Sequence, residues 1–129
     1  MNRTLLRWLP ALLWATGIFI LSAWSSPPKM DKVLPMADKA VHWTLFSVQC
    51  WFIASALRSP NRSLPATVGL AILLASGYGA VDEFHQHYVP NRTCDFMDWL
   101  ADTLGASAAA GAFYAYETHR SAQANRPTA

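Results

Sequence analysis

Four long stretches with almost no charged residue divide this sequence of 129 residues. They cover residues 8–24, 41–57, 64–81 and 96–116. An α-helix rises 1.5 Å per residue and the hydrocarbon core of a bilayer is about 30 Å thick, so that about 20 apolar residues cross it as a helix. The pattern predicts an all-α integral membrane protein that folds as a bundle of four transmembrane helices.

The composition agrees with a membrane protein but places a condition on it. Hydrophobic residues make up 53% of the chain and charged residues 14%, and the length leaves room for one domain over residues 1–129. The mean hydropathy is only +0.15. Four apolar helices are compatible with so low an average only if the polar residues are concentrated elsewhere.

Two alternatives to a four-span bundle come from the same stretches. Arg3 and Arg7, an apolar core and the small residue Ala23 resemble the three regions of a secretory signal peptide. A soluble four-helix bundle is the second alternative, but its helices would carry a polar face at helical period, and residues 8–24 and 64–81 carry almost none. We therefore expect the first stretch to stay as a membrane anchor.

The charged residues predict an orientation. With four spans and an inner amino terminus, both termini lie on the cytoplasmic side, and residues 25–40 and 82–95 lie outside. The inner segments then hold most of the basic residues, as the positive-inside rule requires: Arg3, Arg7, Arg58, Arg62, Arg120 and Arg126. Seven of the eight acids gather on the opposite side: Asp31, Asp38, Asp82, Glu83, Asp95, Asp98 and Asp102.

The acids and their polar neighbours predict one site at the outer ends of the helices. Asp38 and His42 are four residues apart, on one helix face, where the carboxylate could orient the imidazole. Asp95, Asp98 and Asp102 form an acidic stripe that enters the apolar slab, where an ionisable group is costly and points to function by default. The candidate catalytic residues are Asp38, His42, Asp82, Glu83 and Gln86, and the candidate ligand-binding residues are Lys39, Arg92, Asp95, Asp98 and Asp102.

A basic side chain, a bound metal or protonation of at least one acid must relieve the repulsion among these acids, and the sequence does not choose between them. Arg92 is the natural basic partner, because its guanidinium could bridge Asp95 and Asp98 or grip an anionic ligand. Structural roles remain open for the same residues. Asp38 could be the N-cap of its helix or a first-turn acid that complements the helix dipole, and Arg92 could form an ion pair that only holds the loop onto the bundle.

Several motifs together resemble the VanZ-like family of small bacterial membrane proteins. They are Asp38-Lys39-x-x-His42 with Phe46, Tyr78-Gly79-x-x-Asp82-Glu83-x-x-Gln86, Pro90-x-Arg92-x-x-Asp95-x-x-Asp98 and Gly105, spread over about residues 37–108. The resemblance implies a multi-pass protein of the bacterial inner membrane, whose family namesake raises resistance to the glycopeptide teicoplanin. Asp102 departs from the family pattern, in which Asn is common at this position.

The sequence leaves two classes of function open. The outer site could bind an envelope lipid or a glycopeptide without breaking a bond, or it could be a membrane-embedded hydrolase or transferase for a phosphorylated or acylated envelope lipid, with Glu83 or Asp82 as general base. A transporter is a third and weaker alternative, since four short helices form a pathway only in an assembly of several copies.

Cofactors and partners follow from what the sequence lacks. No HxxxH or comparable spacing of metal ligands occurs, so no metal or other cofactor is expected, with a divalent ion kept as an alternative. No run of Lys or Arg favours nucleic acid. The expected partners are membrane lipids, with a homo-oligomer left open because the small residues near Gly105 and Gly111 would allow close helix contact.

Overall fold

A computed structural model describes residues 3–25 and 36–125. The described chain is all-helical and contains four helices. They are α1 (Arg3–Ser22), α2 (Ala37–Leu57), α3 (Leu64–Gln86) and α4 (Phe96–Ala124). All four apolar stretches therefore form helices, but each helix is longer than its stretch. The extensions of α2 and α3 carry Asp38, Lys39, Asp82, Glu83 and Gln86 on helical backbone instead of in loops.

Local sequence explains where α3 and α4 begin. The Ser63 side chain accepts a hydrogen bond from the Ala66 N–H, and Pro65 lies in the first turn of α3, where its missing N–H costs nothing. Asp95 caps α4 by accepting from the Met97 N–H at 2.9 Å. Met36 is the N-cap of α2, with a left-handed φ of 63° and no side-chain cap. Asp38 is therefore not the N-cap, but it is an acid in the first turn of α2, where a negative charge complements the helix dipole.

The helices alternate in direction, and α2, α3 and α4 pack on one another. Among the described residues α1 contacts α2 and α3 but not α4. Two hydrogen bonds join it to them: Trp14 Nε1 donates to the Leu45 carbonyl at 2.9 Å, and the Tyr78 hydroxyl donates to the Ala15 carbonyl at 2.7 Å. The starts of α2 and α4 and the end of α3 thus share one end of the bundle, here named the cluster end.

Many large apolar side chains face outward, and most buried residues are small or polar, with Phe46 and Phe113 among the exceptions. Leu13 and Leu73 are 64% and 67% exposed, whereas Ala71 and Asp102 are fully buried. In water this distribution would be unfavourable, but lipid tails solvate such an exterior. Three helices, α1, α2 and α3, are long and apolar enough to cross a bilayer. The chain is a membrane protein.

The fourth helix differs from the other three. Its 29 residues exceed what a bilayer requires, yet it does not reach the apolar character of a span, since Asp98 and Asp102 lie in its first two turns and small Gly and Ala residues fill its middle. The fourth span predicted from the sequence therefore remains a prediction at this point.

Close approach of α4 to α2 depends on Gly105. A Cβ atom at this position would collide with the backbone carbonyl of Trp43, and the Ser47 hydroxyl donates to the Gly105 carbonyl at 2.9 Å. Gly79 has a related role on α3, because a Cβ there would lie 2.9 Å from Oδ2 of Asp102. The two glycines let three helices converge at the cluster end.

Candidate functional site

Lys39, in the first turn of α2, is the cation that joins the acids at the cluster end. Its Nζ donates to Asp95 Oδ2 at 2.7 Å and to Asp98 Oδ1 at 2.6 Å, and lies 3.0 Å from Asp38 Oδ2. The bond from Lys39 and the one from the Met97 N–H hold the pKa of the Asp95 carboxyl below its ordinary value. One ammonium group therefore ties the start of α2 to the start of α4.

The predicted pairing of Arg92 with Asp95 and Asp98 is wrong. Arg92 instead donates to two backbone carbonyls at the end of α1, Leu21 at 2.9 Å and Trp24 at 3.1 Å. It follows Asn91, whose φ of 62° is left-handed and turns the loop between α3 and α4. Arg92 thus donates to carbonyls that the end of a helix leaves without partners. Lys39 takes the role that was expected of Arg92, the bridging of Asp95 and Asp98.

His42 lies one turn below Lys39 and pairs with Asp102, not with Asp38. His42 Nδ1 lies 3.0 Å from Asp102 Oδ1, and the Asp102 side chain is completely buried. The predicted orientation of His42 by Asp38 is therefore wrong, since Asp38 contacts Lys39 and its side chain is 48% exposed. With Nδ1–H donated to Asp102, the Nε2 atom of His42 is left for another partner.

Glu83 and Asp82 bring acids from the last turn of α3. Glu83 Oε2 accepts from the Asp95 N–H at 2.7 Å, which links α3 to the cap of α4. Gln86 Nε2 donates to Asp82 Oδ2 at 3.0 Å, a contact between residues four apart on α3. His87 follows as the C-cap of α3, and its N–H donates to the Glu83 carbonyl at 3.2 Å.

Three carboxylate oxygens at this end have no hydrogen-bond partner among the described residues. They are Asp82 Oδ1, Glu83 Oε1 and Asp102 Oδ2, all completely buried atoms. A buried polar atom without a partner typically costs about 1–3 kcal/mol, and more when it is charged. Three such atoms within one small region form an arrangement that a ligand would complete.

We name this set the polar cluster, and its members are Asp38, Lys39, His42, Asp82, Glu83, Gln86, Asp95, Asp98 and Asp102. Asp82 belongs to it because it lies three residues after Gly79 on α3, and Gly79 borders the Asp102 side chain. The cluster contains nine of the ten predicted site residues, and Arg92 is the one that makes no hydrogen bond to it. Six carboxyl groups face one ammonium and one imidazole, so the site is strongly acidic.

The remaining histidines of this region lie outside the polar cluster. His85 stacks on Phe19 of α1 with ring centroids 4.5 Å apart, and His87 follows the end of α3. Within the polar cluster, His42, Glu83 and Asp98 each offer a ligand atom within 4.8 Å of the other two, a spacing that could hold a metal ion.

The opposite end of the bundle, here named the arginine end, is built around one buried acid. Glu117 Oε2 accepts from Arg58 Nε at 3.0 Å, and Oε1 accepts from Arg120 Nη1 at 3.2 Å. Both carboxylate oxygens are thus satisfied. A cavity of about 390 Å³ lies beside them and is lined by Arg7, Trp51, Ser55, Arg58, Phe113, Tyr116, Glu117 and Arg120.

The partners of Lys39 and His42 were not predicted, although the sequence holds a signal for them. Lys39 and His42 are three residues apart on α2, and Asp98 and Asp102 are four apart on α4. Because both helices start at the same end of the bundle, Lys39 lies level with Asp98, and His42, one turn further along α2, lies level with Asp102. Matching the spacings across two parallel helices would have indicated both contacts.

Comparison with known proteins identifies the chain at the level of its family. The family model described as VanZ/LLP1 matches residues 5–117. The chain belongs to the VanZ/LLP1 family. The VanZ/LLP1 match extends from the first turns of α1 to Glu117 in α4 and includes every residue of the polar cluster. No curated protein and no solved structure matches the chain.

Proposed function

We propose that this VanZ/LLP1 protein binds the polar head group of an envelope lipid in the polar cluster and does not cleave it. The observation that carries the proposal is the set of three unpartnered carboxylate oxygens, Asp82 Oδ1, Glu83 Oε1 and Asp102 Oδ2. Such acceptors require hydrogen-bond donors or a cation. A head group rich in hydroxyl or ammonium groups supplies donors.

The charge of the polar cluster supports this class of ligand and argues against a bare anion. Its six carboxyl groups far outnumber its two basic groups, Lys39 and His42, and one of the six, that of Asp102, is fully buried. Lys39 is already occupied by three of them, and Arg92 is engaged at the end of α1. A phosphate or carboxylate would therefore meet repulsion unless a cation accompanied it.

The surroundings of the polar cluster suit a lipid. The side chains of Lys39, His42 and Asp98 keep 19%, 14% and 12% of their surface exposed, so the cluster is reachable from outside. Along the chain its residues alternate with exposed apolar ones, Trp43 after His42 and Phe84 after Glu83. A head group in the cluster would leave its acyl chains beside these apolar side chains.

The proposal includes the fourth span and the orientation. The 29 residues of α4 cover about 43 Å at 1.5 Å per residue, and its acids Asp98 and Asp102 face the bundle interior instead of lipid. Four spans in the inner membrane, with cytoplasmic termini, place the polar cluster on the outer side. A membrane-impermeant maleimide applied from outside should then label the exposed Cys94 and not the buried Cys50. Labelling of Cys94 only from the cytoplasmic side would reverse the orientation.

Glycopeptide resistance of the teicoplanin type is the phenotype that we propose for such binding, since glycopeptides act at the outer face and are themselves rich in hydroxyl and amide donors. Expression of the chain in a susceptible host should raise the inhibitory concentration of teicoplanin, and Asp102→Asn should reduce that increase. An unchanged inhibitory concentration, with the protein present in the membrane, would separate head-group binding from resistance.

The direct test of head-group binding is native mass spectrometry of the protein purified from its membrane. We expect the unsubstituted protein to retain a specific lipid of unaltered mass, and Glu83→Gln and Asp102→Asn to lose it. The control is Glu117→Gln, which changes a buried acid at the arginine end and should retain the lipid. Identical lipids on all four proteins would contradict the proposal.

A second function, hydrolysis or group transfer on an envelope lipid, is favoured by one observation. The contact between His42 Nδ1 and Asp102 resembles the arrangement in which a carboxylate orients a general base, with Nε2 left to take a proton from water or a hydroxyl group. Glu83 would then be its acid partner. The same lipid analysis separates the two functions, because an enzyme would release a product of different mass during incubation.

A further inference from the structure

Three side chains of the polar cluster, one from each of α2, α3 and α4, meet at a common point. A ligand atom of His42, of Glu83 and of Asp98 lies within 4.8 Å of the other two. His42 Nε2 lies 3.9 Å from Asp98 Oδ2, which is too long for a hydrogen bond. Ligand atoms that share an ion at about 2.1 Å lie about 3–4 Å from one another.

We propose that His42, Glu83 and Asp98 bind one divalent transition-metal ion through one imidazole nitrogen and two carboxylate oxygens. Zn²⁺ and Mn²⁺ accept this donor set, and a site with three protein ligands keeps a position open for an outside group. The inference rests on the proposed function, because the ion would share the polar cluster with the head group, and it adds the chemical class of a cofactor.

The strongest support is the way in which each of the three side chains is held. Asp98 Oδ1 accepts from Lys39, Glu83 Oε2 accepts from the Asp95 N–H, and His42 Nδ1 contacts Asp102. In each case one heteroatom has an orienting partner. The second heteroatom, namely Asp98 Oδ2, Glu83 Oε1 or His42 Nε2, has no hydrogen bond among the described residues. Side chains that bind a metal ion typically contact it through one heteroatom, while the other heteroatom is held by a hydrogen bond within the protein.

Asp102 has the role that a carboxylate commonly takes behind a histidine ligand. A buried carboxylate that accepts the Nδ1–H fixes the tautomer in which Nε2 carries a lone pair, and it raises the basicity of the ring toward a metal. Asp102 is fully buried, and its second oxygen, Oδ2, lies beside Gly79 and has no hydrogen-bond partner among the described residues.

Charge balance points the same way. Glu83 is 4% exposed, and its Oε1 atom is completely buried and has no hydrogen-bond partner in the part of the chain that the structure describes. The hydrogen bonds of Lys39 go to Asp95 and Asp98, and none reaches Glu83 or Asp102. A divalent ion between Glu83 and Asp98 would supply the missing positive charge, and it would also let an anionic head group approach an otherwise acidic site.

The test is metal binding by the full chain, purified in detergent and freed of metal by a chelator. A Cys94→Ser background removes the exposed thiol as an adventitious ligand. After dialysis against Zn²⁺ or Mn²⁺, elemental analysis should find one ion per chain. Co²⁺ should give a visible absorption spectrum that reports its ligands directly, independent of any activity. Absence of stoichiometric Zn²⁺, Mn²⁺ and Co²⁺ from the folded protein would overturn the proposal.

Variants locate the ion. Glu83→Gln and His42→Gln should lose it, with affinity at least 100-fold weaker, and Asp102→Asn should weaken it about 10- to 100-fold while keeping one ion per chain. Glu117→Gln is the control and should bind as the unsubstituted protein does. Asp98→Asn replaces either ligand variant that fails to give a monodisperse helical protein. Unchanged affinity in the ligand variants would overturn the assignment.

The lipid assay keeps this inference separable from the proposed function. If the chelator-treated protein takes up no metal on dialysis but still retains its lipid, the metal proposal fails and the proposed function stands. If the metal-loaded protein retains no specific lipid, the proposed function fails and the metal site stands.

Discussion

The two ends of the bundle treat buried acids in opposite ways. At the arginine end one carboxylate, Glu117, accepts from two guanidinium groups, those of Arg58 and Arg120, and both of its oxygens are satisfied. At the cluster end six carboxyl groups share Lys39 and His42, and three buried oxygens have no partner among the described residues. Both ends lie in the same chain and at the ends of the same helices.

This difference separates a structural ion pair from a site. An acid that is needed only to hold helices together is matched by cations within the protein, as Glu117 is. An excess of acids with open acceptors costs stability in the isolated protein, and such a cost is common where a ligand is bound. The polar cluster therefore has the features of an incomplete site, and the arginine end has those of a complete one.

The largest effect that we expect comes from the close contact that assembles the cluster end. Gly105→Ala should destabilise the protein by about 3 kcal/mol, because the new Cβ would collide with the Trp43 carbonyl and push α4 away from α2. The measurement is the free energy of unfolding in mixed micelles with increasing SDS.

Gly111→Ala is the matched control on the same helix, nearer the arginine end. No atom of the described residues lies within 4 Å of a Cβ built there, so this change should be neutral or slightly stabilising through helix propensity. Equal effects of the two substitutions would show that Gly105 does not determine the packing of the cluster end.

The second largest effect should follow removal of the shared cation. Lys39→Met should cost about 2 kcal/mol, because three carboxylates lose their common donor in a partly buried site. Arg92→Met should cost about 1 kcal/mol, since Arg92 donates to two exposed carbonyls at the end of α1. Urea or SDS unfolding of the two variants under one set of conditions gives the comparison. A larger loss of stability for Arg92→Met than for Lys39→Met would favour the pairing of Arg92 with Asp95 and Asp98 that the sequence predicts.

The sequence predicted which residues gather but not which ones touch. Hydropathy and charge determine the helices, and helical spacing places Asp98 and Asp102 on one face at one end. The choice between Lys39 and Arg92 depends on how α2 is rotated toward α4 and on how the loop turns at Asn91, and neither follows from a single segment. For the same reason, the spacing along α2 points to Asp38 as the partner of His42, whereas the actual partner, Asp102, lies on α4 across the helix contact.

A smaller effect should come from the cap of α4. Asp95→Asn keeps a side-chain acceptor for the Met97 N–H but removes the charge that Lys39 contacts, whereas Asp95→Ala removes both. We expect losses of about 0.5 and about 1 kcal/mol in the same SDS titration. A neutral Asp95→Ala would mean that Asp38 and Asp98 suffice to hold Lys39 and that the cap adds nothing.

The most direct test of the contrast between the two ends is the stability of Glu83→Gln against that of Glu117→Gln, measured without metal or added lipid. Glu83→Gln neutralises a carboxylate whose Oε1 has no partner within residues 3–25 and 36–125, so it should leave the free energy of unfolding unchanged or raise it by up to about 1 kcal/mol. Glu117→Gln leaves two arginines without their acid and should lower it by about 1–2 kcal/mol. A loss for Glu83→Gln as large as that for Glu117→Gln would contradict the account, because the polar cluster would then be as complete as the arginine end.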